Sequence, residues 1–107
     1  MDGAMSFTGG TLTDGSVAIT SQNIYTAPSV ALLKWITFYN KNATQQTLNV
    51  YIFRVGSIER QIYRFVLDQY DTVTINETIT LSAGDRLRAS TTTASAVDYV
   101  ISGALSA

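Results

Sequence analysis

Asp68 and Asp71, with Glu77 a few residues on, come nearest in type and spacing to a reaction centre. Two carboxyl groups flanking a glycosidic bond are the machinery of glycoside hydrolysis, one acting as acid and the other as base or nucleophile. The plainer reading is a turn, because Asp bonds nearby backbone and DQYD stands between two apolar stretches. With Asp85, the same acids could offer oxygen ligands to calcium, yet no loop has the ligand spacing of an EF-hand. They are expected to be solvated turn and surface residues, with no catalytic, metal-binding or cofactor-binding role.

The chain of 107 residues contains neither cysteine nor histidine. Cysteine nucleophiles, Ser-His-Asp triads, disulfides, and zinc or iron sites built on thiolate or imidazole are therefore excluded. Seven basic and eight acidic residues are scattered along the sequence, so no basic stripe for nucleic acid is expected. Arg54, Arg60, Arg64, Arg86 and Arg88 could gather into one patch, and strand alternation puts Arg86 and Arg88 on a common face. Such a patch would grip an acidic partner or phosphate; the alternative is a row of solvated side chains guarding a sheet edge.

The aromatic residues are the larger resource. Trp35, Phe38, Tyr39, Tyr51, Phe53, Tyr63, Phe65 and Tyr99 exceed what one small core face needs, so part of the set is expected on a subunit interface. The interface candidates are Trp35, Phe38, Tyr39, Tyr51 and Phe53, with Arg86 and Arg88. A sugar-stacking platform is the sharper alternative, and core packing is the default for any single ring.

The elements that must position these residues read as strands. Apolar residues make up 46% of the chain and charged residues 14%, which fits one folded domain whose surface is covered by Ser, Thr, Asn and Gln. From Val17 onward Val, Ile, Thr, Tyr and Phe recur, with no sustained helical periodicity. Residues 1–16 hold four glycines and little periodic hydrophobicity, which predicts a flexible arm ordered only against a partner. Residues 17–107 form the predicted β-domain.

Pro28 marks a turn. LLKWITFYN (32–40) follows, with Leu33, Trp35 and Thr37 expected on one face and Leu32, Ile36 and Phe38 on the other. TLNVYIFRV (47–55) alternates Leu48, Val50 and Ile52 with Asn49, Tyr51 and Phe53, so both faces should be covered. QIYRFVL (61–67), TVTI, TITL, RLRAS and VDYVISGAL complete the series. In LSAGDRLRASTTTASAVDYVISG (81–103), Gly84 suits a turn with positive φ and Asp85 can bond backbone beside it, which predicts a hairpin joining TITL to RLRAS. Leu87 and Ala89 should face inward and Arg86 and Arg88 outward. TTTASA then returns the chain to Val97, Tyr99 and Ile101, and Gly103 either ends that strand or admits a close backbone. About eight short strands at this spacing predict an all-β, single-domain antiparallel sandwich of jelly-roll type.

The start, MDGAMSF, lacks the basic and apolar regions of a secretory signal. The apolar runs VALL and WI, separated by Lys34, fall far short of the roughly 20 residues that span a membrane. A soluble protein made in the cytoplasm is expected, with no membrane partner. The matches to the glycosylation sequon at Asn42-Ala43-Thr44 and Asn76-Glu77-Thr78 are then discounted.

The order IYTAP, LLKWITFYN, TLNVYIF, LSAGDRLRAST and VDYVISG, spanning about residues 23–104, resembles a family of small phage-associated β-sandwich proteins. In that family a YTVP-like turn, a strand ending in Asn, an L-x-AGD-x-[LI]-R-A segment and a last strand ending in Ser-Gly recur. This chain departs from the pattern in having Ser29-Val30 where the usual glycine follows the proline. The resemblance implies a virion component attached to a capsid or tail. The expectation is a non-enzymatic capsid decoration or cement protein, located in the virion, that binds the major capsid protein as a homo-oligomer, with a trimer as the expected state. A tail, neck or fibre-attachment protein is the first alternative. A carbohydrate-binding module using Trp35 or a surface Tyr is the second.

Overall fold

The computed structural model describes residues 7–106, and its regular elements are all strands. In chain order they are β1 (Phe7–Ser16), β2 (Gln22–Thr26), β3 (Ala31–Asn40), β4 (Gln46–Phe53), β5 (Glu59–Leu67), β6 (Thr72–Ile75), β7 (Ile79–Leu81), β8 (Arg86–Ser90) and β9 (Val97–Ser106). A five-stranded sheet runs β1-β9-β3-β6, with β7 pairing further along β3, and a four-stranded sheet runs β2-β8-β4-β5. Every pairing is antiparallel. The two sheets interleaved in this way make a jelly-roll sandwich, as expected, with nine strands.

Three local expectations are corrected. Phe7–Ser16, expected within the flexible arm, is a ten-residue strand paired with β9. Its composition hid it because an edge strand lying mostly in solvent needs no apolar alternation. Backbone bonds to β9 hold it, and Leu12 packs against the core. Residues 1–6 of the expected arm lie outside the described residues.

The second correction concerns the hairpin predicted between TITL and RLRAS. The turn itself is as read, with Gly84 at φ +89° and the Asp85 N–H donating to the Ser82 carbonyl at 3.0 Å. But β7 pairs with β3, whereas β8 pairs with β2 and β4, so the turn arches from one sheet to the other. The 91–96 loop likewise carries the chain back to β9 in the first sheet. Leu81 and Leu87 are both fully buried, and they enter the core from opposite walls.

The third is a change of phase in β3. Its register against β9 shifts between Leu33 and Trp35, which leaves Lys34 as the extra residue of a bulge. Leu33 therefore shares the core with Ile36 and Phe38 instead of sharing the outer face with Trp35 and Thr37. The two faces predicted for this strand hold only beyond the bulge.

The core comes from both inner faces. Leu33, Ile36, Phe38, Leu81, Val97 and Ile101 meet Leu48, Val50, Leu87 and Ala89, all with no exposed surface. On β9, Gly103 lies so close to β3 that a Cβ there would stand 1.9 Å from the Leu32 carbonyl oxygen. The close-approach reading of this glycine is the observed one.

One end of the sandwich is locked by two buried amides. Asn40, at the end of β3, donates from Nδ2 to the carbonyls of Thr44, Leu67 and Asp68 at 2.9, 3.3 and 3.0 Å, and its Oδ1 accepts the Asn42 N–H. Gln46 Oε1 accepts the Thr93 N–H at 2.8 Å and the Thr91 hydroxyl at 3.3 Å, while its Nε2 donates to the hydroxyls of Thr44 and Thr93. Three loops are tied together by groups that would otherwise be buried without partners.

Candidate functional site

The structure divides the seven interface candidates among three places. Phe38 is wholly buried, at 0% exposure, and its ring lies 6.5 Å from that of Tyr99, so it leaves the interface set and joins the core. Trp35 and Tyr39 are on the outer face of the five-stranded sheet. Tyr51, Phe53, Arg86 and Arg88 are together on the outer face of the four-stranded sheet.

On the five-stranded sheet, Trp35 is 58% exposed and Tyr39 38%. Val100, 43% exposed, pairs with Thr37 between them, so it stands diagonally next to both. Diagonal neighbours on a sheet are within reach of aromatic side chains, and the three make one continuous apolar band edged by Thr74, Ser102 and Asp14. At the Tyr39 end the Lys41 ammonium pairs with Asp98 at 3.0 Å. The Ser16 hydroxyl also donates to Asp98 at 2.7 Å, and this bond, followed by Lys41, holds the carboxyl below the usual carboxylate range.

The other outer face is a dense polar layer. The Arg88 and Arg86 guanidinium carbons lie 4.5 and 5.4 Å from the Phe53 ring centre. Arg88 also donates to Asn23 Oδ1 at 2.8 Å and to Glu59 Oε2 at 3.1 Å, so Phe53 is roofed by cations instead of offering an open ring. The Ser21 hydroxyl bonds the same Glu59 oxygen at 2.7 Å and is the main reason that this carboxyl stays ionised below its usual range, with Arg88 adding to it. Nearby, Gln61 donates to Asn49 Oδ1, and Tyr51 and Ser90 share a hydroxyl contact at 3.3 Å. The arginine patch forms only in part: Arg86 and Arg88 share this face, as expected, whereas Arg54 is bound elsewhere to Asp85.

The acids considered for chemistry hold turns together. Asp71 Oδ2 accepts the Asp68 N–H at 3.1 Å, Asp68 Oδ1 accepts from Gln45, and Glu77 accepts the Tyr63 hydroxyl at 2.9 Å. Asp85, expected to be solvated, is only 4% exposed. Its carboxylate accepts the N–H groups of Val55 and Ser82, both at 3.0 Å, and the Arg54 guanidinium at 2.9 Å. The Val55 bond comes first among the causes that lower its pKa, followed by Ser82 and Arg54, against an opposing effect of burial. Three inward-directed donors leave no room for the calcium reading at this oxygen pair. Among the described residues, no three acids gather as a metal site.

One feature was not legible as a site. Ile52, Ile62, Tyr63 and Ile79, with Arg54, Thr78 and Thr80, line a cleft of about 390 Å³ where the two sheets part. The residues come from separate strands, and Ile62 enters it through a bulge that no periodicity signals.

No protein-family model matches the chain, and no curated protein matches it. Its fold is similar to that of a solved chain from the work "Bacillus endospore appendages form a novel family of disulfide-linked pili", with a TM-score of 0.59 and 11% identity over 99% of this chain and 93% of that one. At that identity the likeness is one of fold.

Proposed function

We propose that the protein is a non-enzymatic structural subunit of a bacteriophage virion, a capsid decoration protein that lays the outer face of its five-stranded sheet on the major capsid protein. The observation that carries the assembly role is the Trp35–Val100–Tyr39 band. Large apolar side chains that are contiguous on one face of a small domain mark a contact surface, and Trp and Tyr are the side chains that anchor such contacts. The capsid setting comes from the sequence resemblance. Many weak contacts repeated over a lattice give firm attachment without charge steering, which suits a chain of net charge −1.

The test is a copy count on purified particles by quantitative mass spectrometry, together with a Trp35→Glu variant. A copy number on the order of that of the major capsid protein, lost in the folded variant, is the expected result. A few copies per particle would move the protein to the tail, neck or fibre attachment, and absence from particles would overturn the virion reading. Binding of a glycan array that depends on Trp35 would favour the carbohydrate module instead.

A second reading is a subunit of an extracellular fibre, supported by the likeness to the pilus chain over nearly the whole length of both. That neighbour's pili are described as disulfide-linked, and this chain has no cysteine, so its fibre would be held by non-covalent contacts alone. Electron microscopy of the purified protein separates the readings, since filaments formed without particles favour the fibre.

A further inference from the structure

The cleft between the sheets and the tip of the hairpin beside it both present apolar side chains. The register of β5 slips opposite Val50 and Tyr51, which leaves Ile62 without a register partner, and its side chain joins Ile52, Tyr63 and Ile79 in an apolar wall. The adjoining β4–β5 hairpin ends in Val55 and Ile58, 64% and 65% exposed, the two most exposed large apolar side chains among the described residues. Two hydrogen bonds hold this tip outward: Ser57 N–H to the Arg54 carbonyl at 2.9 Å, and Val55 N–H to Asp85 at 3.0 Å. An apolar knob and an apolar hole thus belong to one chain, and the knob leaves its own hole open.

We propose that Val55 and Ile58 of one copy seat in the Ile52–Ile62–Ile79 cleft of another copy. The charges agree with this occupant. Arg60, two residues past Ile58 near the start of β5, stands opposite Ile52 at the rim between knob and hole. Glu77 is anchored to the cleft residue Tyr63 and stays with the hole. Neither makes an ion pair among the described residues, and docking brings the cation toward the anion. Because knob and hole are different surfaces, the contact either closes as a reciprocal pair or ring, or continues from copy to copy as an open filament. It stands independently of the virion reading.

The absence of native cysteines makes a direct test available. Ile58→Cys and Thr78→Cys are made separately, at two exposed positions, mixed and oxidised. The expected result is a cross-linked species containing one of each variant, with little cross-linking of either alone. In sedimentation velocity the full chain should self-associate and Ile58→Glu should associate more than about tenfold more weakly. Arg60→Glu and Glu77→Arg should each weaken association, and the double variant should recover it. A wild-type chain that stays monomeric at high concentration without cross-linking, or an Ile58→Glu variant that associates like wild type, would overturn the proposal. So would a monomeric wild type whose cleft takes up the apolar dye ANS, which would assign the space to a small ligand.

Discussion

The Asp85 carboxylate accepts the Val55 backbone N–H at 3.0 Å, just beyond the paired ends of β4 and β8, fastening the tip of the β4–β5 hairpin to the β7–β8 arch. The bond also explains why the AGD segment needs its acid. Gly84 makes the arch, its N–H donates to the Ala27 carbonyl at 2.8 Å, and Asp85 returns a carbonyl to the Ala27 N–H at 2.9 Å. Three connections at this end are thereby held by two neighbouring residues.

Replacing Asp85 by Asn should therefore destabilise the fold by about 1–3 kcal/mol, since one of its oxygens becomes a donor facing donors. Urea denaturation at neutral pH measures this. A loss within error of zero would mean that the hairpin tip is held by other contacts.

Asp85, Glu59 and Asp98 all have carboxyl groups lowered in the folded state, so the sign of the pH dependence is fixed. Their contribution is fully present above the unfolded carboxylate range of about pH 4–4.5 and is lost as pH falls through the lower folded-state values. Tyr25, Tyr63 and Tyr99 are raised, the first and last mainly by burial and Tyr63 mainly by its bond to Glu77. Stability should then also fall as pH rises beyond about 10. Melting temperatures should form a plateau between these limits, and Asp85→Asn should flatten the acid side.

At the other end, Asn40 is the corresponding lock. Asn40→Ala leaves the Thr44, Leu67 and Asp68 carbonyls and the Asn42 N–H without their partner, and about 1–3 kcal/mol should be lost. Asn40→Asp should be worse at pH 7, because it turns a carboxylate toward the carbonyl oxygens that Nδ2 now satisfies. Equal stabilities for the two variants would show that the loops rearrange to solvate themselves.

Much of this was legible because side chains alternate simply along a strand. In β4, Leu48, Val50 and Ile52 face in and Asn49, Tyr51 and Phe53 face out, as the spacing dictates, and Arg86 and Arg88 share a face for the same reason. Alternation fails wherever an extra residue enters. The bulge at Lys34 reverses the phase of β3 and so separates Leu33 from Trp35, and the bulge at Ile62 creates a cleft wall. Sheet membership was hidden for a different reason: an arch and a hairpin use the same turn residues, and only the long-range partners of β7 and β8 tell them apart. The edge strand β1 left little trace because hydrogen bonding to β9, not side-chain burial, defines it.

Two glycines separate a steric requirement from mere composition. A Cβ on Gly103 would stand 1.9 Å from the Leu32 carbonyl oxygen, so Gly103→Ala forces β3 and β9 apart and should cost about 1–3 kcal/mol or more. At Gly9 the nearest atom to an added Cβ is the Gly103 carbonyl oxygen at 3.4 Å, which is tolerable, and Gly9→Ala should be nearly neutral. Thermal melts of the two variants side by side provide the comparison.

The sharpest contrast lies within β3, between Phe38 and Trp35. Both read as interface aromatics in the sequence, but alternation beyond the bulge puts Phe38 in the core, at 0% exposure, and Trp35 outside, at 58%. Phe38→Ala should lose about 3–5 kcal/mol through lost burial and the cavity that remains. Trp35→Ala should change stability by no more than about 0.5 kcal/mol, since solvent already surrounds most of the ring. If the outer band is a docking surface, the same Trp35 variant should lose its place on the assembly while melting like wild type. A stability loss at Trp35 approaching that at Phe38 would instead make the indole part of the fold, and the band would no longer argue for a partner.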